Sequence, residues 1–260
     1  MNTILADYEG EQRAFGALLE PNCQERILLL RGESGSGKTT LLKACLERVP
    51  QAVPCIRIQL RGRTVSVAEI FSRAGDILGW ERLANFTARM ADLSGAQVHI
   101  KDNKMYGEEH SINVVLTNDP DQRQRRRAAL TNAWFRDVKT FERPLLVALD
   151  TYEQASAEVA EWIDGPFLAR VAESPPVRVL LAGQEVPDAH NIEWGRCCTL
   201  RELYGVPEAQ HWLPVVAAMQ RHIPFADPLT WLAGVCHALR GDPKEIMQVI
   251  TDLPRREGTT

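Results

Sequence analysis

The 260 residues, 45% apolar and 25% charged, carry a formal net charge of −4, the composition of a globular chain with ample length for a core. The weakly acidic balance gives no global case for nucleic acid, and no apolar run approaches the roughly 20 residues of a membrane span, so neither is expected as a partner. Six cysteines without C-x-x-C spacing, behind an acidic start that is no signal peptide, read as reduced thiols of a cytoplasmic protein rather than a zinc site.

Residues 9–19 read as a short helix with Phe15, Leu18 and Leu19 on its apolar side, broken by Pro21 and Asn22. Such a segment either covers the base of a nucleotide or packs on a sheet, and the sequence leaves both open. Residues 27–30 form a continuous apolar run, as expected of a strand buried on both faces. Gly32, Glu33, Ser34, Gly35, Ser36, Gly37, Lys38 and Thr39 then fit G-x-x-x-x-G-K-[ST], the phosphate-loop pattern, at every fixed position. From Thr40 to residue 49 the chain reads as a helix, with Leu41, Leu42, Cys45, Leu46 and Val49 on one side. Strand, glycine loop and helix are the context the pattern requires.

The chemistry accounts for the residue types. Polyphosphate is held by backbone N–H groups, and glycines let the backbone approach closely. The helix start adds unpaired N–H groups and the positive end of its dipole. Lys38 is expected on the β- and γ-phosphates and the Thr39 hydroxyl on Mg²⁺.

Residues 53–60 alternate and are β-rich, a second strand. Residues 65–78 and 80–93 look like two helices parted at Gly79. Residues 96–118 are the odd part, with two β-like runs, 97–100 and 112–116, around a polar segment. The plain reading is a hairpin inserted on the rim, and a partner-binding feature is the sharper one. Asp119, Pro120 and Asp121 form a helix start, and Leu130, Trp134, Val138 and Phe141 share a face of the helix expected over 121–141. The cluster Arg123, Arg125, Arg126 and Arg127 near its start reads as a solvated face, with a phosphate sensor or docking patch as alternatives.

Residues 144–150 form an apolar strand ending in Asp150, which in phosphate-loop proteins serves the Mg²⁺ environment. The competing role is a helix N-cap, because residues 151–172 look helical. Residues 177–183 form another buried strand, and Gln184 at its end is placed to reach a γ-phosphate or its attacking water. Residues 197–200 offer a last short strand. From Pro207 onward three helical patterns follow (207–219, 228–239 and 243–253), each opened by a proline. The fold expected is α/β: a three-layer phosphate-loop NTPase with a central, mostly parallel sheet, an inserted β-hairpin and a C-terminal helical lid. The expected division is a core over 1–205 with its insert at about 96–118, a lid over 206–253 and a tail over 254–260.

The chain resembles the nucleotide-binding module of the STAND class of signal-transduction ATPases, in the AAA+-like branch of P-loop NTPases, across about residues 9–253. The resemblance rests on GESGSGKTTLL, LLVALDTYEQAS, RVLLAGQEVP and LRGDPKEI. Gly241, Asp242 and Pro243 resemble the G-x-P motif of the family's lid, which implies that Pro243 lies against the nucleotide. The resemblance implies an ATP/ADP- and Mg²⁺-dependent molecular switch. Such modules sit between a sensor of repeats and an effector. No repeats follow Leu253 and no effector precedes Asn2, so a sensor or effector protein is expected in trans, and a nucleotide-dependent homo-oligomer is left open.

Thr151 stands where the family places an acid, with Glu153 the nearest carboxylate, and Gln184 stands where it often has arginine. Asp150, Glu153 and Gln184 are therefore the expected catalytic set, with slow or partner-dependent hydrolysis. A non-hydrolysing, nucleotide-stabilised scaffold is the alternative, and a phosphotransferase comes after it. No guanine-reading N-K-x-D motif is visible, which favours adenine.

Overall fold

The computed structural model describes residues 3–61, 65–94, 100–101, 104–105, 112–113, 115–116 and 122–256. The strands are β1 (Ile27–Gly32), β2 (Cys55–Gln59), β3 (Ile100–Lys101), β4 (Lys104–Met105), β5 (Leu145–Asp150), β6 (Val177–Gly183) and β7 (Cys198–Leu203). Five of them pair in parallel in the order β2-β5-β6-β1-β7, while β3 and β4 form a separate antiparallel ladder. One strand, β6, therefore separates the strand that leads into the glycine loop from the strand that ends at Asp150.

Successive side chains of a strand point to opposite faces, and here both faces are covered. Leu29, Ile58, Val147, Val179 and Leu181 enter one core, Leu28, Leu30, Leu146, Leu180 and Ala182 the other. The first core is closed by α3 (Val67–Leu78), α4 (Ala84–Ser94), α5 (Arg123–Val138) and the segment through Trp162 and Phe167. Its centre is aromatic: Phe71, Phe86, Trp134, Trp162 and Phe167 lie ring to ring. The second core is closed by α1 (Glu9–Leu18), α2 (Lys38–Glu47) and the C-terminal helices Leu213–Ala218, Pro228–Ala238 and Pro243–Asp252.

Local signals explain several boundaries. Ser66 caps α3, accepting from the Glu69 backbone N–H at 3.1 Å. Asp137, buried on α5, caps α4 from outside by accepting from the N–H groups of Asn85 (3.0 Å) and Phe86 (2.9 Å). Arg178, buried within β6, donates to the carbonyls of Leu18 (2.7 Å), Glu20 (3.3 Å) and Pro175. It thus satisfies carbonyls that α1 leaves open at its end.

The structure corrects three expectations. Ile112, Asn113, Val115 and Leu116 are helical rather than a strand, with Ile112, Val115 and Leu116 buried in the first core. The short ladder is made instead by β3 and β4, and residues 97–99 and 119–121 lie outside the described residues. The arginine cluster is not a uniformly solvated face. Arg127 is buried against the carboxylates of Glu158 and Glu161, at 3.6 and 3.5 Å, and Arg126 donates to the Val115 carbonyl. The helix expected over 151–172 starts late: a 3-10 turn at Tyr152–Gln154 comes first, and the helix then runs unbroken from Ala157 to Ala172, widened to a π turn at Ile163–Phe167 around Pro166. Within the tail, Pro254 accepts from the His222 N–H and the Arg256 N–H donates to the Gln220 carbonyl.

Candidate nucleotide-binding site

The loop after β1 turns at Gly35 and Gly37, whose φ values of +91° and +85° side chains rarely adopt. Gly37 is the N-cap of α2, and no side chain caps that helix. Its first-turn N–H groups and the positive end of its dipole are therefore presented to the loop. Lys38 Nζ lies back on the loop, donating to the carbonyls of Gly32 and Glu33 at 2.7 Å each. Burial pulls the Lys38 pKa below its ordinary value, opposed by the charges of Glu153 and Asp150.

Asp150 ends β5 and is buried. Its Oδ2 accepts from Thr39 Oγ1 at 3.1 Å, with Oδ1 at 3.4 Å. It caps no helix: the helix that follows is capped by Ser156, which accepts from the Val159 N–H at 3.3 Å. The backbone turns at Thr151, a β-branched residue in the left-handed region (φ 64°, ψ 47°). Strain of this kind costs about 1–3 kcal/mol and is held in place by the surrounding structure. The turn swings Glu153 back to the sheet edge. There Glu153 Oε2 accepts from the Gln184 backbone N–H at 2.9 Å and Oε1 from Gln184 Nε2 at 3.3 Å. Gly183 makes room for this: a Cβ there would collide with the Glu185 carbonyl and lie 3.0 Å from Glu153 Oε2.

The C-terminal helices clasp the loop. Asp242 caps the helix Pro243–Asp252, its Oδ1 accepting from the N–H groups of Lys244 (2.8 Å) and Glu245 (3.1 Å). The same carboxylate rests on the loop, so that a Cβ on Gly35 would stand 2.5 Å from Oδ2. The Lys244 N–H also lies 3.3 Å from the Gly35 carbonyl. From the other end of the chain, the Tyr8 hydroxyl donates to the Ser36 carbonyl at 2.6 Å. Burial, with Asp7, Glu11 and Asp242 nearby, drives the Tyr8 pKa up.

A cleft of about 640 Å³ lined by Glu33, Ser34, Ser36, Gln184, Tyr204 and Asp242 borders the loop. Two smaller clefts flank it. One, of about 340 Å³, is lined by Lys38, Thr39, Asp150, Glu153 and Gln184, together with Arg61 and Lys244. The other, of about 310 Å³, is more apolar and is lined by Leu5, Tyr8, Val206, Trp212, Pro243 and Met247. The structure thus gathers the loop residues from Gly32 through Thr40 with Asp150, Glu153, Gln184 and Pro243 in one region. Asp242, the middle residue of the G-x-P-like triplet, joins them, as do Tyr8, Arg61 and Lys244, which were not singled out in the sequence. The residues fit a Mg²⁺-bound polyphosphate: a glycine cradle, an ammonium on the loop, and a hydroxyl facing a carboxylate, which are hard-cation donors.

Residues 9–181 match the AAA ATPase domain family. The chain belongs to that family. Its fold is likewise that of a solved structure. The Walker-type ATPase PABY2304 of Pyrococcus abyssi superposes with a TM-score of 0.52 at 16% identity, covering 94% of this chain and 67% of that one. The Orc1 protein of Aeropyrum pernix, solved in complex with DNA, gives a TM-score of 0.47 at 14% identity, covering 95% and 59%. No curated protein matches the sequence. Among the described residues, no helix of this AAA ATPase domain is long and apolar enough to cross a membrane.

Proposed function

We propose that this AAA ATPase domain is an ATP-binding switch of the STAND type, with slow or partner-dependent hydrolysis. The observation that carries the reading is the clasp of the helix Pro243–Asp252 on the glycine loop through Asp242, Lys244 and Gly35. A nucleotide seated in the loop must share that contact, so the position of the helix depends on what the loop holds. On this reading residues 1–205 are the core, 206–253 a lid and 254–260 a tail. The apolar cleft beside Tyr8 and Pro243 takes the adenine base.

Lys38 leaves the carbonyls of Gly32 and Glu33 for the β- and γ-phosphates when they arrive. Thr39 and Asp150 would hold Mg²⁺, which screens phosphate charge. Glu153 is the base and Gln184 orients the water. Both Glu153 oxygens accept from Gln184, so two of the roughly four acceptor sites of the carboxylate are taken and fewer directions stay open to a water. That supports turnover below the roughly 10 s⁻¹ median of enzymes. The partner is a protein that reads the lid, and the six free thiols support a reducing, cytoplasmic compartment.

Single-turnover hydrolysis of labelled ATP, alone and with duplex DNA or a candidate partner protein, tests the reading. Slow wild-type turnover is expected, lowered further in Glu153→Gln with ATP affinity kept. Equal rates would remove Glu153 as the base. ATP that is bound but never cleaved would make the nucleotide a structural element of a scaffold. Stimulation by DNA would replace the protein partner with nucleic acid.

A further inference from the structure

We propose that Arg61 is the group by which this site tells a nucleoside triphosphate from a diphosphate. The inference rests on the nucleotide-binding reading above and adds a specificity residue to it. Arg61 lies two residues beyond the edge strand β2, on the far side of Asp150 from the glycine loop. Gln59 is in register with Asp150, and the Leu60 N–H donates to the Asp150 carbonyl at 2.8 Å. The backbone is therefore pinned beside Asp150 until one residue before Arg61. The Arg61 side chain then lines the same cleft as Lys38, Thr39, Asp150 and Glu153.

Among the described residues, nothing occupies this guanidinium. Among the described residues no carboxylate lies within ion-pair distance of it. The two acids of the cleft are engaged elsewhere, Asp150 with Thr39 and Glu153 with Gln184. The cleft sets three cations, Lys38, Arg61 and Lys244, against two carboxylates, Asp150 and Glu153, and the excess positive charge favours an arriving anion. Guanidinium offers a planar fork that matches two phosphate oxygens at once.

Position decides which phosphate it meets. Phosphates cradled by the loop lie over the end of β1, three strand spacings from β2, or roughly 14 Å. An extended arginine side chain spans only part of that distance. It meets a group that projects from the loop toward Asp150, and the terminal phosphate of a triphosphate is that group. A diphosphate ends short of it.

Calorimetric titration of the full chain with Mg²⁺ and either ADP or a non-hydrolysable ATP analogue tests the proposal. Wild-type protein must first bind both ligands, and failure there overturns the nucleotide reading itself. Arg61→Ala is expected to weaken the triphosphate analogue by about 10- to 100-fold while ADP stays within about twofold. Arg61→Lys, which keeps the charge and loses the fork, is expected to fall between. Because Arg61 is exposed, the melting temperature should be unchanged, which separates the effect from unfolding. A variant that binds both ligands as the wild type does, or loses both equally, overturns the proposal.

Discussion

Thr151 sets the geometry of the sheet edge that carries Asp150, Glu153 and Gln184. A carboxylate three residues beyond a strand would ordinarily be carried off along the next element. The left-handed turn at Thr151 returns Glu153 to Gln184 instead. The acids themselves were legible, because an apolar strand ending in Asp has a meaning after a glycine loop. The turn was not, because no pattern rule places a β-branched residue at positive φ. Gly183 is the counterpart that lets Glu153 fit. Gly183→Ala forces its new Cβ into the Glu185 carbonyl, a backbone atom that cannot swing aside. Overpacking of this kind costs about 1–3 kcal/mol. A lower melting temperature is expected together with slower single-turnover hydrolysis. An unshifted melting curve would mean that the backbone after β6 yields freely.

Elements were legible where burial is uniform and ambiguous where it is local. β1, β5 and β6 read as apolar runs because helices cover both faces, and β2 alternates because it lies at an edge. Ile112, Val115 and Leu116 look β-rich, yet their i, i+3, i+4 spacing is helical, and burial against the aromatic core follows the spacing. In residues 151–172 the helical pattern is real, but Pro166 cannot donate to the preceding turn and the chain widens there into a π turn. Arg178 is the charge that breaks the apolar run of β6, and its partners explain it. Arg178→Met keeps the bulk but strands the carbonyl of Leu18 at the end of α1, while that of Glu20 keeps the Cys23 N–H. A loss of about 2–4 kcal/mol in urea unfolding is expected. An unchanged midpoint would show that water replaces the guanidinium.

At the scale of the whole molecule, the order β2-β5-β6-β1-β7 brings four chain segments to one edge: the loop, Asp150, Gln184 and Arg61. The N-terminal Tyr8 and the C-terminal Asp242 then close on the loop from opposite ends of the sequence. The loop was legible from its own residues, whereas the clasp depends on contacts between segments more than 200 positions apart, as between Gly35 and Asp242, which no local pattern encodes. All of this geometry converges on one claim, that the glycine loop holds a Mg²⁺-bound triphosphate through Lys38. Calorimetric titration of wild type and Lys38→Ala with ATP and Mg²⁺ tests that claim most directly. Lys38→Ala leaves the glycines and α2 in place while removing the only loop ammonium, so saturable binding in wild type and its loss in the variant are predicted. Equal affinity in the two proteins would contradict the assignment of the site.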